Sequence, residues 1–250
     1  MTQALLEQKV DEFANSLVET LFLILEIDAP ISSLVSSDGG TNPTGVVGSS
    51  EDPFNAAAIP LTINNEPALT LFVEYACGLD NSREHLKIKK SKFEVRSAIG
   101  EVEEPLFRIE YEPQATSKPV SHLHVHAHRD ELVYLRMLSH RKKSRAGKAR
   151  SKSAVNKLSG YHFPTGGHRF RPCLEDLLQS LILELDIDVN QQDWQRAIEQ
   201  GRQDFRQRQL KAAVRHQPEC AADSLRALGY KVDPPHIQSQ KSISNALHAF

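Results

Sequence analysis

LFRIEYE, residues 106–112, alternates: Phe107, Ile109 and Tyr111 fall on one side of an extended chain, and Leu106, Arg108, Glu110 and Glu112 on the other. A period of two is the mark of a half-buried strand. The pattern extends in both directions. Upstream, ALTLFVEYA (68–76) sets Leu69, Leu71, Val73 and Tyr75 against Thr70, Phe72 and Glu74, and KFEVRSAI (92–99) sets Phe93 and Val95 against Lys92, Glu94 and Arg96. Downstream, SHLHVHAHR (121–129) sets Leu123, Val125 and Ala127 against His122, His124, His126 and His128. The connections GLDNSRE, GEVEEP and PQATSKP are short and turn-like, which favours an antiparallel meander over parallel crossovers. In that meander one sheet face carries Glu94, Arg96, Arg108, Glu110 and the histidines together.

Helical periodicity flanks the strands. Leu6, Val10, Phe13, Leu17, Leu21 and Ile24 are spaced by threes and fours and predict a helix over 3–27 with one buried face. After Asp130, a good N-cap, ELVYLRMLSH predicts a short helix. A short strand is expected at Tyr161–Phe163, then a helix opening at Pro172, with Leu174, Leu177, Leu178, Leu181, Ile182 and Leu185 as its apolar stripe. Two more helices are expected over 193–215, burying Trp194, Ile198 and Phe205, and over 218–228, stopped by Gly229. Residues 28–58 are rich in Ser, Gly, Pro and Asp and read as a flexible linker. The expected fold is α+β: a four- to five-stranded, mainly antiparallel sheet with one N-terminal and three C-terminal helices on its apolar face. Residues 59–232 form a single core, with a basic loop at 140–157, and 233–250 a weakly ordered tail.

Composition excludes several classes. The chain of 250 residues is 40% hydrophobic and 25% charged, ordinary globular values. Its longest apolar run, Leu21–Leu25, is far short of a membrane span, and the N-terminus lacks the basic start and cleavage site of a signal peptide. A cytoplasmic protein with no membrane partner is the expectation. The three cysteines, Cys77, Cys173 and Cys220, form no CxxC, which argues against a disulfide framework and a cysteine zinc site. Cys173, at a helix start, is a weak candidate for a lowered thiol pKa. The net charge of −2 conceals sorting: the segment between Leu132 and Leu174 holds 11 basic and no acidic residues. Such a block suits a polyanion, or an acidic partner protein.

Three features carry chemistry. Neutral histidines at alternate strand positions can exchange protons or attack phosphorus, with a carboxylate orienting one ring. His124 and His126 are the catalytic candidates, Glu110 the orienter. Alternate histidines also stand about 6.5–7 Å apart at their backbones, close enough for two imidazoles to share one metal. The alternative is therefore a metal-dependent hydrolase with one divalent ion such as zinc, held by His122, His124 and a further ligand from His162, His168 or Glu110, His162 being favoured. FPTGGHRFRP (163–172) offers an anion site in which Gly166 and Gly167 aim backbone N–H groups at a phosphate, and Arg169 and Arg171, with Arg108, clamp it. Arg141, Lys142, Lys143, Arg145, Lys148, Arg150 and Lys152 can attract nucleic acid or a nucleotide, without an aromatic residue to stack on bases. They also leave open a non-catalytic binding module for nucleic acid or protein. No GK[ST] or GxGxxG fingerprint is present.

HLHVHAHR resembles the His-φ-His-φ-His motif of the histidine triad superfamily, nucleotide hydrolases and transferases whose middle histidine is the nucleophile; that resemblance would place His124 there. It covers about eight residues. The family sets a helix before its histidine strand, where residues 61–119 of this chain read as strands only. HLHVHAHR, HFPTGGHRFRPCLEDLL and the closing RxRQLKAAVRHQPECAADSLRALGYKV together resemble a widespread group of uncharacterised bacterial proteins typical of actinobacterial genomes, over Leu106–Val232. His122–His128 with His162–Phe163 also resembles small bacterial toxins with a His-rich strand, which implies a toxin–antitoxin setting. Neither likeness brings an established activity. The expected function is a phosphate-directed intracellular enzyme acting on RNA or a nucleotide.

Overall fold

The computed structural model describes residues 2–36, 43–48, 59–99, 105–115, 118–126, 130–139, 161–166 and 170–233. The chain is α+β, as the alternation predicts. Its elements are α1 (Thr2–Leu25), β1 (Ser32–Ser36), β2 (Thr44–Gly48), β3 (Ile59–Ile63), β4 (Glu66–Leu79), β5 (Leu86–Ser97), β6 (Phe107–Tyr111), β7 (Ser121–Val125), α2 (Asp130–Ser139), α3 (Leu174–Leu185), α4 (Trp194–His216) and α5 (Pro218–Ala227).

Among the described residues seven strands form one sheet in the order β1-β2-β4-β5-β6-β7, with β3 also paired to β4. Every pairing is antiparallel. β4 is the spine: β5 runs along one edge, while β3 and β2 share the other, β3 beside Glu66–Leu71 and β2 beside Glu74–Cys77. The turn between β3 and β4 is made by Asn64 and Asn65, both at positive φ (57° and 65°). Two such residues in a row give the backbone twist that suits a two-residue hairpin.

Two expectations about strands are corrected. Residues 28–58, read as a linker, supply β1 and β2, so the sheet has seven strands where four or five were expected. Their Ser- and Gly-rich sequence is short of side chains to bury; β2 is held extended by pairing with β4, and β1 by pairing with β2. Gly45 of β2 also lets α1 approach closely, since a Cβ there would lie 2.6 Å from Val10 Cγ2. Tyr161–Phe163 is not a strand. It is a segment without regular structure whose rings pack on β6, with Phe107 centred 6.0 Å from Tyr161 and 5.1 Å from Phe163.

The helical layer covers one sheet face. α1 buries Leu6, Val10, Ala14, Leu17, Leu21 and Ile24 in the same core as Leu69, Leu71, Val73, Phe93, Val95 and Phe107. Phe13, Tyr75 and Phe93 continue that contact edge to face, at 4.9 and 5.6 Å. α3 is buried along most of its length, polar residues included. It opens at Leu174 and not at Pro172, because Asp176 Oδ2 accepts the Cys173 N–H at 3.2 Å and caps the first turn. Arg202 Nε reaches Asp176 Oδ1 at 2.7 Å and fastens α4 to it. The expectation that all C-terminal helices cover the sheet is corrected: α5 has no buried residue, and Leu210 and Val214 of α4 are exposed. Among the described residues no helix is long and apolar enough to cross a membrane.

Candidate metal centre

Cross-strand partners in an antiparallel sheet project to the same side. The register pairs Glu74 with Lys92, Lys92 with Glu110, and Glu110 with His122; the next row pairs Phe72 with Glu94, Glu94 with Arg108, and Arg108 with His124. The face opposite the helices is thus a lattice of alternating charge ending on two imidazoles at the edge strand. Glu94, only 3% exposed, is held by Lys92 at 3.4 Å and Arg96 at 2.6 Å. Arg96 in turn lies 4.5 Å over the Phe72 ring.

Glu110, 6% exposed, is the hub. Its Oε2 lies 3.0 Å from His122 Nε2, 3.4 Å from His124 Nε2 and 3.5 Å from Lys118 Nζ, and its Oε1 lies 3.3 Å from Arg108 Nε. Burial pushes the Glu110 carboxyl up, but Arg108, the His122 contact and Lys118 outweigh it and hold the group below the ordinary carboxylate range. It is a carboxylate near neutral pH. Burial, then the Arg108 charge, pushes the His124 imidazole down, so that ring is neutral.

His122 fixes its own tautomer. Nδ1 lies 2.7 Å from the Pro119 carbonyl oxygen, which can only accept, so Nδ1 carries a proton. Nε2 then faces the Glu110 carboxylate through a second proton or through a cation. His124 Nε2 is buried and makes no hydrogen bond. The two rings meet edge to face, centroids 4.9 Å apart. The three ligand atoms of Glu110, His122 and His124 lie within 4.8 Å of one another, a group that can hold a metal ion.

The expected site residues divide between the two faces. His122, His124, Glu110 and Arg108 come together, with Glu110 the third member of the group that can hold a metal. His126 lies just past β7, where its N–H donates to the Leu106 carbonyl at 3.0 Å, and it is not among the three ligand groups. His162 is corrected as a ligand: its ring contacts Glu184 of α3 at 2.8 Å, and its neighbours Tyr161 and Phe163 pack on the helical side of the sheet. Arg171 is likewise on that side, with Cζ 4.1 Å over Tyr111 and 5.1 Å from the Phe205 ring, so it cannot clamp a ligand with Arg108. Gly166 has φ 92° and packs against its own loop, where a Cβ would meet the Phe170 carbonyl oxygen. The Cys173 thiol is pushed up by burial and by Glu175, the reverse of an activated thiol. Gly167, His168, Arg169, His128 and the basic series Arg141, Lys142, Lys143, Arg145, Lys148, Arg150 and Lys152 lie outside the described residues.

Lys118 escaped the sequence reading. It stands in the β6–β7 connection, which the Glu112 N–H closes onto the Val120 carbonyl at 2.7 Å, and it contacts both Glu112 (2.8 Å) and Glu110. Its one sequence signal is its place just before Pro119 and the histidine strand. A groove on the helical side, lined by Phe170, Arg202, Gln203, Arg206 and Leu210, is separate from this cluster.

No protein-family model, curated protein or solved structure matches the chain.

Proposed function

We propose that Glu110, His122 and His124 bind one divalent metal ion, zinc by ligand type, and that the protein is a metal-dependent hydrolase. The observation that supports this most is the pair of imidazole nitrogens. His122 gives its Nδ1 proton to a backbone carbonyl, the outer-sphere arrangement that fixes a ligating histidine. A metal in that position would take the Nε2 lone pair that faces the carboxylate, while His124 Nε2 is buried and makes no hydrogen bond. A cation between them answers both. Ligands about 2.1 Å from a tetrahedral zinc stand about 3.4 Å from one another, and the two nitrogen–oxygen separations are 3.0 and 3.4 Å. Two histidines and a glutamate leave one coordination position for water or substrate, as catalytic zinc sites require.

The metal-free reading, with His124 as acid, base or nucleophile and Glu110 as orienter, has one supporting observation: the carboxylate is within contact distance of both rings. It requires His122 doubly protonated and leaves His124 Nε2 unsatisfied, so it ranks second.

Elemental analysis of protein dialysed against trace zinc separates the two. One zinc per chain is expected, and a free concentration 100 times its Kd stabilises the fold by about 2.7 kcal/mol. In His122→Ala and His124→Ala both the stoichiometry and the rise in melting temperature disappear. A wild-type protein whose melt is unchanged by zinc, manganese and nickel refutes the metal centre.

A further inference from the structure

The proposed centre sits among more cations than its carboxylate alone can answer. Arg108 pairs across the sheet with His124 and is one residue removed from Glu110 on the same face. Its Nε approaches Glu110 Oε1 at 3.3 Å, yet it is buried and makes no hydrogen bond. Lys118 bridges Glu110 and Glu112, and Lys90 adds a second cation to Glu112 at 3.6 Å. Three cationic side chains thus face two carboxylates before any metal is counted. A divalent ion makes the patch strongly positive, and a neutral peptide or ester would leave it so.

We infer that the substrate of this centre is a phosphate monoester, its dianionic phosphoryl group shared between the metal and the Arg108 guanidinium. The inference rests on the metal reading and adds the substrate class to it. A guanidinium presents donors in a fork that matches two phosphoryl oxygens, and such charge-assisted bonds are about twice as strong as neutral ones. Arg108 is placed for this by β-sheet geometry alone: a cross-strand pair sets its Cβ about 4.5–5.5 Å from that of His124. Its side chain, 32% exposed, keeps one end in solvent where a ligand can reach it. Carboxylate substrates offer one negative charge and two oxygens; a phosphoryl dianion offers two charges and three oxygens, closer to the excess that the metal creates.

The test uses phenylphosphonate, a non-hydrolysable monoester analogue, and benzoate as its carboxylate counterpart, titrated calorimetrically into the zinc-loaded full-length chain. Phenylphosphonate is expected to bind at least tenfold tighter than benzoate. Arg108→Gln is expected to keep one zinc per chain and to bind phenylphosphonate about 10- to 100-fold more weakly, with Arg108→Lys intermediate. Equal affinity for the two ligands, or an Arg108→Gln protein that holds zinc and phenylphosphonate as the wild type does, overturns the proposal while leaving the metal centre intact. Failure of the wild type to take up zinc overturns the metal reading, and this inference with it. Arg108→Lys, which keeps the cation, separates loss of the fork from loss of folding should the glutamine variant melt early.

Discussion

On one face of β4–β7, Leu71, Val73, Phe93, Val95, Phe107 and Ile109 are sealed beneath the helices; on the other, Lys92, Glu94, Arg96, Arg108, Glu110 and two histidines answer one another's charge. The same strands and the same period of two build both. The first face is held by area removed from water, a non-directional attraction that tolerates exchange of one apolar group for another of like volume. The second is held by direction and distance, and each group there depends on its neighbours' charge. Only that second kind of surface can set the Glu110, His122 and His124 side-chain atoms within 4.8 Å of one another. The difference predicts that the two faces fail in different ways.

The largest effect belongs to the core face. Phe93 is 1% exposed and touches Tyr75 edge to face, so Phe93→Ala opens a cavity between α1 and the sheet. The expected cost is about 3–5 kcal/mol by denaturant titration, independent of salt and pH. A loss below about 1 kcal/mol, or one that varies with ionic strength, would erase the distinction between the faces.

The polar face gives a smaller effect with a pH signature. In metal-free protein the Glu110 carboxyl is held below its unfolded value, near pH 4.3, with Arg108, His122 and Lys118 outweighing the opposing effect of burial. A depressed carboxyl stabilises the fold fully above the unfolded pKa, and the stabilisation is lost as pH falls through the folded one. Wild-type stability should therefore decline from about pH 5 downward more steeply than that of Glu110→Gln, which has no proton to take up at this position. Because Lys118 and Arg108 reach solvent, the difference stays well below the Phe93→Ala cost. Parallel pH profiles for the two proteins would remove Glu110 from its place as hub.

These two faces were also unequally legible in sequence. Alternation in LFRIEYE and SHLHVHAHR assigns each side chain to a side, and the register then brings Glu110, Arg108, His122 and His124 together. That much follows from a period of two. Alternation carries no information about which face a loop segment approaches, so His162 and Arg171, expected near the histidines, lie against the helical side. Nor does it mark strands that lack large side chains: β2 is extended because β4 offers it an edge and β1 because β2 does, and SSLVS and TGVVG show no pattern of their own. Lys118 belongs to a turn, and only the closed β6–β7 hairpin delivers its ammonium to Glu110.

The smallest predicted effect tests where the covered face ends. Leu123 and Val125 occupy the same side as Ile109 and Phe107, and alternation alone assigns them to the core. In the structure they are 37% and 36% exposed, whereas their partners Ile109 and Phe107 are 5% and 0% exposed. Among the described residues the helical layer stops between β6 and β7. Burial requires a second layer as well as the right parity, and an edge strand can have one without the other. Ile109→Ala should cost about 2–5 kcal/mol, while Leu123→Ala, one strand away and directly opposite, should stay within about 0.5 kcal/mol. Its zinc stoichiometry should be unchanged, because the imidazoles of β7 point the other way. A cost for Leu123→Ala approaching that of Ile109→Ala would mean that the apolar side of the histidine strand is covered after all, and that the Glu110–His122–His124 cluster stands on a buried strand instead of an open edge.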